Sequence, residues 1–144
     1  MPFVEKLLML AMAAEVLLIF GLLFWLGRER VPRVMSGEIA MADIAVERTA
    51  YPLQAKLLAN SFDNQFQLPV VFFVGALLVL HLGNVSWVEA ALGLVFVALR
   101  YTHAAIHVTT NNVGQRFVAY TLGLAVLVVF WLWLVFKILL APSI

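Results

Sequence analysis

Four apolar runs, each long enough to cross a bilayer, leave this chain little choice of fold. A membrane helix needs about 20 apolar residues to span a hydrocarbon core ~30 Å thick. Inside lipid, the backbone must satisfy its own hydrogen bonds, which helices do locally. The runs read as spans over residues 7–27, 52–82, 87–109 and 116–140. They fill most of a 144-residue chain, so the expected fold is a single domain over residues 1–144, an all-α integral membrane protein built as a four-transmembrane-helix bundle. Composition agrees: 65% of residues are hydrophobic, 12% are charged and mean hydropathy is +1.04, outside the range of soluble globular domains.

The first run follows Lys6 and has the flank of a signal peptide. At about 21 residues it exceeds the ~7–15 of a signal core, and no small-residue cleavage site precedes Arg28-Glu29-Arg30, so a retained helix is expected. A net charge of +1 argues against nucleic acid as a partner. The chain has no cysteine, which excludes disulfides, thiolate metal sites and a cysteine nucleophile. Any thiol chemistry must use a thiol carried by a ligand.

Polar residues inside the runs are the next constraint. On a helix each residue turns about 100°, so Arg100, His103 and His107 fall within about 60° of one another, and Glu89, Gly93 and Phe96 continue the stripe. A cation at that depth costs ~2.5–3.5 kcal/mol on insertion scales and normally faces protein or a wet cavity. A structural ion pair and a ligand site both fit this. Glu15 lies about 18 Å from the Gly27 end of the first run and Arg100 about 14 Å from the Thr109 end of the third, so an ion pair between them is expected.

Arg28 to Arg48 is a polar connection broken by Pro32 and Gly37, with a short surface helix expected over residues 38–46. The second span begins near Pro52, and its first half carries Lys56, Asn60, Asp63, Asn64 and Gln67 on one face, opposite Leu57, Leu58, Phe62 and Phe66. A solvated extension would show this pattern; the apolar back favours a stripe facing a wet interior cleft. Pro69 should kink the helix where polar gives way to apolar. Gly83-Asn84-Val85-Ser86 and Thr110 to Gln115 are the remaining turns, and Arg116, Tyr120 and Gly123 share a face of the last span. Arg28, Arg30, Arg33, Arg48, Lys56 and Arg116 fall on one side of the membrane, Lys6 and Lys137 on the other. The positive-inside rule then places the termini outside and the polar connections in the cytoplasm, as expected in a bacterial inner membrane.

Three helices thus bring Lys56, Asn60, Asp63, Asn64 and Gln67, then Arg100, His103 and His107, then Arg116 and Tyr120 to one level. His103 and His107 at i, i+4 have the spacing to grip one ion, but a third ligand is wanting: His81 lies some ~25–30 Å away, so no metal is expected. No serine sits on a nucleophile elbow. Cations and amides of this kind suit an anionic, polar ligand.

These residues resemble the membrane-associated proteins in eicosanoid and glutathione metabolism, the MAPEG family, over about Asn60 to Thr121. The family's asparagine followed three residues on by an acid, before a proline-containing apolar run, is matched by Asn64, Gln67 and Pro69. The stretch from Asn60 to Pro69 looks like the bacterial branch. Arg-x-x-His on the third helix is matched by Arg100 and His103, and an arginine with a tyrosine four residues on by Arg116 and Tyr120. The family acid is Gln67 here, the arginine usual before the asparagine is Asp63, and His107 stands where an aromatic is frequent. The resemblance implies a homotrimer with glutathione between neighbouring subunits near the cytoplasmic face, and transferase or peroxidase chemistry on a lipophilic electrophile entering from the membrane lipid. It implies a catalytic role for Arg116, stabilising the thiolate, with Tyr120 beside it. It implies a glutathione-holding role for Asn64, Arg100 and His103, to which Lys56, Asn60, Gln67 and His107 are added from the polar cluster. The alternative is a non-catalytic membrane protein that binds a lipid or hydrophobic ligand, or an accessory subunit of a larger complex.

Overall fold

The computed structural model describes residues 1–83 and 85–140; of the expected turn after the second span, Asn84 lies outside the described residues. Five α-helices follow in order: α1 (Phe3–Met35), α2 (Leu53–Asp63), α3 (Leu68–Leu82), α4 (Trp87–Val108) and α5 (Val113–Leu140). Short 3-10 turns occupy Met41–Ile44 and Asn64–Phe66, and no strand is present among the described residues. Four stretches are long and apolar enough to span a membrane, α2 and α3 together forming the second.

α1 outruns its apolar stretch because its charged end still supports helix. Arg33 Nη1 donates to the Glu29 carboxylate one turn back at 2.9 Å, and the helix stops at Ser36, before Gly37 at φ +78°. The surface helix expected over residues 38–46 shrinks to the Met41–Ile44 turn, fastened by a small cluster of Ile39, Tyr51 and Ala55. The Arg30 guanidinium stacks 4.4 Å above the Tyr51 ring.

The second span does more than kink. Pro69 has no N–H and its ring collides with the carbonyl four residues back, so the helix cannot run through it. Gln67, at φ −106° and ψ −102°, separates the Asn64–Phe66 turn from α3, and Pro69 sits in the first turn of α3, where a missing donor is harmless. α3 has 15 residues, about 22 Å of rise against a ~30 Å hydrocarbon core, so the break lies at membrane depth. Non-helical backbone is tolerated there only when protein buries it or when it lines a polar cavity.

α4 is the central element, packed on α5 and α1 and also touching α2 and α3. It starts with a capping box in which Ser86 and Glu89 satisfy each other's ends, and Lys137 Nζ of α5 donates to Glu89 at 2.6 Å. Its expected stripe is its buried face: Glu89, Gly93, Phe96, Arg100, His103 and His107 are all buried. Two apolar layers flank that stripe. One joins Leu8, Phe72, Phe96, Leu127 and Phe130; the other joins Leu22, Leu26, Leu58, Ala59 and Ala104. Between them lies a buried polar layer of Glu15, Ser61, Gln65, Arg100, His103 and His107.

On α2 the expected orientation is largely reversed. Leu57, Leu58, Ala59 and Ser61 face the interior, while Asn60 and Asp63 face outward, Asp63 accepting a hydrogen bond from Arg48 at 2.6 Å. Burying the leucines against α1 and α4 removes more apolar surface than the polar edge could. Only the end of the stripe, at the helix break, turns toward a cleft.

Candidate functional site

The site forms where the broken second span meets the start of α5. α4 ends through Asn111, which takes the left-handed conformation (φ 50°) and donates its N–H to the Ile106 carbonyl at 2.7 Å. Asparagine tolerates that conformation better than other side chains with a Cβ. The Asn112 side-chain oxygen accepts from the Gln115 N–H at 3.0 Å and caps the opening turn of α5. Arg116, in the first turn, is then held from below: its Nη1 donates to Asn111 Oδ1 at 2.6 Å, and its Nε has no hydrogen-bond partner among the described residues.

Across from Arg116 stand groups from two other elements. Tyr120, one turn further along α5, has its ring 5.9 Å from that of His103, which lies edge-on to His107 at 5.7 Å. His103 is buried and its Nδ1 has no partner among the described residues. Asn64 and Gln67 arrive from the break in the second span. Together Asn64, Gln67, His103, Val113, Arg116, Phe117 and Tyr120 line a cavity of about 320 Å³, within the ~300–1,000 Å³ of small-ligand sites. It combines an arginine, an imidazole, a phenol and two amides with an aromatic wall, and so can hold a polar, anionic ligand by charge and directed hydrogen bonds.

Of the nine residues singled out in the sequence, five line this cavity: Asn64, Gln67, His103, Arg116 and Tyr120. Arg100 and His107, each 1% exposed, stand behind its wall. Arg100 Nη2 donates to the Asn64 carbonyl at 3.1 Å and to Gln65 Oε1 at 3.2 Å. His107 Nδ1 faces the Asn64 amide nitrogen at 3.4 Å; that nitrogen only donates, so Nδ1 accepts. Lys56 and Asn60 lie off the cavity, on the outer side of α2. The expected Glu15–Arg100 ion pair is corrected: none forms between them within 4 Å, and both Glu15 oxygens lack a hydrogen-bond partner among the described residues. Arg100 is drawn instead to the backbone that the helix break sets free. Among the described residues no group of three His, Asp or Glu side chains is placed to hold a metal ion.

Sequence reading missed Gln65, Asn111, Val113 and Phe117. Asn111 carried a legible signal, the Asn-Asn-x-Gly turn, and Gln65 a weaker one, its place seven residues past Leu58 on the apolar side of the helix. Above the cavity the wall turns apolar, and Leu68, Val71, Leu124, Val128 and Trp131 line a groove of about 340 Å³ between α3 and α5.

In comparisons with known proteins, the model of the MAPEG family matches residues 8–136. No curated protein and no solved structure matches the chain.

Proposed function

The chain belongs to the MAPEG family of membrane proteins, and from that premise we propose that its cavity binds glutathione and activates the thiol toward a lipophilic electrophile, as a transferase or peroxidase. The observation that carries this reading is the half-buried Arg116, anchored by Asn111 on one nitrogen and turned into a cavity shared with His103 and Tyr120. The magnitudes suffice. A free thiol titrates near ~8.5, so ionising it at neutral pH takes a shift of about 2 units, ~2.7 kcal/mol. One cation at ~4 Å, with an effective dielectric of ~20, supplies about 4 kcal/mol. The thiolate then attacks the electrophilic carbon, forming a C–S bond as the leaving group departs with its electron pair. With a hydroperoxide it takes the outer oxygen, the O–O bond breaks and the alkoxide leaves to be protonated to the alcohol; the thiol of a second glutathione then attacks the sulfenic sulfur, forming the disulfide and releasing water. Asn64, Gln67 and His103 hold the polar tripeptide, and the apolar groove above them receives the lipophilic partner.

The active form in this reading is a homotrimer in a bacterial inner membrane, with the cavity at the cytoplasmic side and completed by a neighbouring subunit. The outward-facing Asn60 supports it, because an uncovered amide at that depth is costly in lipid. The wholly apolar lining of the α3–α5 groove favours one second reading, a non-catalytic binder of lipid or another hydrophobic ligand.

Glutathione binding separates the two. A ligand that binds only the folded state at ~100 times its Kd stabilises by about 2.7 kcal/mol, so millimolar glutathione should raise the melting temperature of the detergent-solubilised protein. Arg116→Ala should abolish the ultraviolet thiolate absorbance that appears on binding while leaving assembly intact. A thiolate signal and turnover that survive Arg116→Ala would make Arg116 a headgroup anchor and end this mechanism.

A further inference from the structure

A buried charge that neither touches the cavity nor forms a direct ion pair needs another role, and Arg100 is in that position. It is 1% exposed at the middle of α4, a costly place for a guanidinium. Its Nη2 grips two oxygens of the broken second span, the Asn64 carbonyl at 3.1 Å and Gln65 Oε1 at 3.2 Å. The first grip follows from the break. In an uninterrupted helix the Asn64 carbonyl would accept from the N–H four residues on, and the Gln65 carbonyl would find none, because residue 69 is proline. Gln65 is fully buried, and its own amide donates to the Ser61 carbonyl at 2.9 Å, which fixes the direction of its oxygen. The third member is Glu15 on α1, also fully buried in the same polar layer as Arg100, with neither carboxylate oxygen hydrogen-bonded among the described residues. One linkage therefore joins α4 to the end of α2, and the residue it seizes, Asn64, presents its side chain to the cavity.

We propose that Glu15, Gln65 and Arg100 are positioning residues: they hold the non-helical segment 64–67 at membrane depth and so set the distance between the cavity's amide wall and the Arg116–Tyr120 wall. The assignment concerns the cavity's shape and stands whatever ligand fills it. Lysine would not substitute for Arg100, since both bonds leave from Nη2, which lies one bond farther along the side chain than a lysine ammonium reaches. Leucine would not substitute for Gln65, since it fills the space but offers no oxygen. Glutamate would substitute in part: it keeps an acceptor for Arg100 but gives up the amide that donates to the Ser61 carbonyl.

The absence of native cysteine allows the distance to be read directly. Spin labels on Gln67→Cys and Phe117→Cys straddle the cavity, and pulsed dipolar spectroscopy in nanodiscs gives their separation. In assemblies diluted with unlabelled protein, so that each holds one labelled subunit, the parent should show one narrow distribution. Gln65→Leu, Arg100→Lys and Glu15→Gln should shift or broaden it by several ångström at unchanged helical content, and Gln65→Glu should stay closer to the parental distribution than Gln65→Leu does. Glutathione affinity should fall at least tenfold in Gln65→Leu and by less in Gln65→Glu. If Arg100→Lys fails to assemble, Gln65→Leu decides. A parental distance in Gln65→Leu, even with lowered thermal stability, would reduce these residues to general packing and overturn the proposal. Equal broadening in Gln65→Leu and Gln65→Glu would overturn it too, because the acceptor would then be irrelevant. An unchanged distance in Glu15→Gln would remove Glu15 from the set.

Discussion

At the scale of single residues, Asn111 does two jobs that substitution can separate. Its left-handed backbone ends α4, and its side-chain oxygen holds Arg116 Nη1 at 2.6 Å. Asn111→Gly keeps the backbone geometry, so stability should change little, while Arg116 loses its anchor and the thiolate signal on glutathione binding should weaken. Asn111→Ala loses both and should also cost about 1–2 kcal/mol in unfolding, the penalty of a left-handed residue with a Cβ. Paired melting and absorbance titrations check this; equal stability loss in the two variants would contradict the backbone part. The same residue shows why only some of the site was legible. Arg116, Tyr120, His103, Asn64 and Gln67 stood out because each is polar within an apolar run. Asn111 sat in a turn where asparagine is ordinary, and Gln65, four residues past Ser61 and seven past Leu58, lies inward because it continues the face of α2 that the leucines bury. Arg100 was conspicuous for its charge, yet which acceptors it meets, the Asn64 carbonyl and Gln65, follows from packing rather than from side-chain periodicity.

Among the elements, the spans were legible because their length and apolarity admit one solution in lipid, and α4's buried face followed from the 100° rule alone. Two features of the second span were not. The polar edge of α2 lies outward because the packing of Leu57 and Leu58 decides the rotation, and Pro69 ends a helix and starts another where a kink was expected. Close helix approach is a third property set by tertiary structure. A Cβ added at Gly75 of α3 would lie 2.9 Å from Phe130 Cε1 and 3.2 Å from Trp131 Cε2, whereas one at Gly21 of α1 meets nothing within 4 Å. Alanine improves helix propensity by up to about 1 kcal/mol over glycine, and overpacking costs about 1–3 kcal/mol. Crowding should therefore win at Gly75 and propensity at Gly21. Gly75→Ala is expected to lower the melting temperature and disturb the Trp131 indole, which donates to the Val71 carbonyl at 3.2 Å. Gly21→Ala should be neutral or stabilising. Equal effects in thermal unfolding would mean that the α3–α5 seam is looser than its geometry.

For the whole molecule, the open question is which way the bundle faces, and charge gives the strongest argument. The ends of α1, α2, α4 and α5 near the cavity carry Arg28, Arg30, Arg33, Arg48, Lys56 and Arg116; the opposite ends carry Lys6 and Lys137. Several of these arginines are engaged, Arg33 with Glu29, Arg48 with Asp63 and Arg30 with Tyr51. Pairing does not weaken the inference, because the rule counts lysine and arginine near span ends and acidic residues contribute little. A cytoplasmic cavity also has chemical sense, since a charged, water-soluble tripeptide must arrive from water and a lipophilic partner from the side. The cysteine-free chain makes the test clean. Gly37→Cys, just past α1, and Asn112→Cys, between α4 and α5, should resist an impermeant maleimide added to intact cells and react after permeabilisation. Asn84→Cys, between the second and third spans, should react from outside. The reverse pattern would invert the bundle and open the Arg116 cavity toward the exterior, where a cytoplasmic thiol could not reach it.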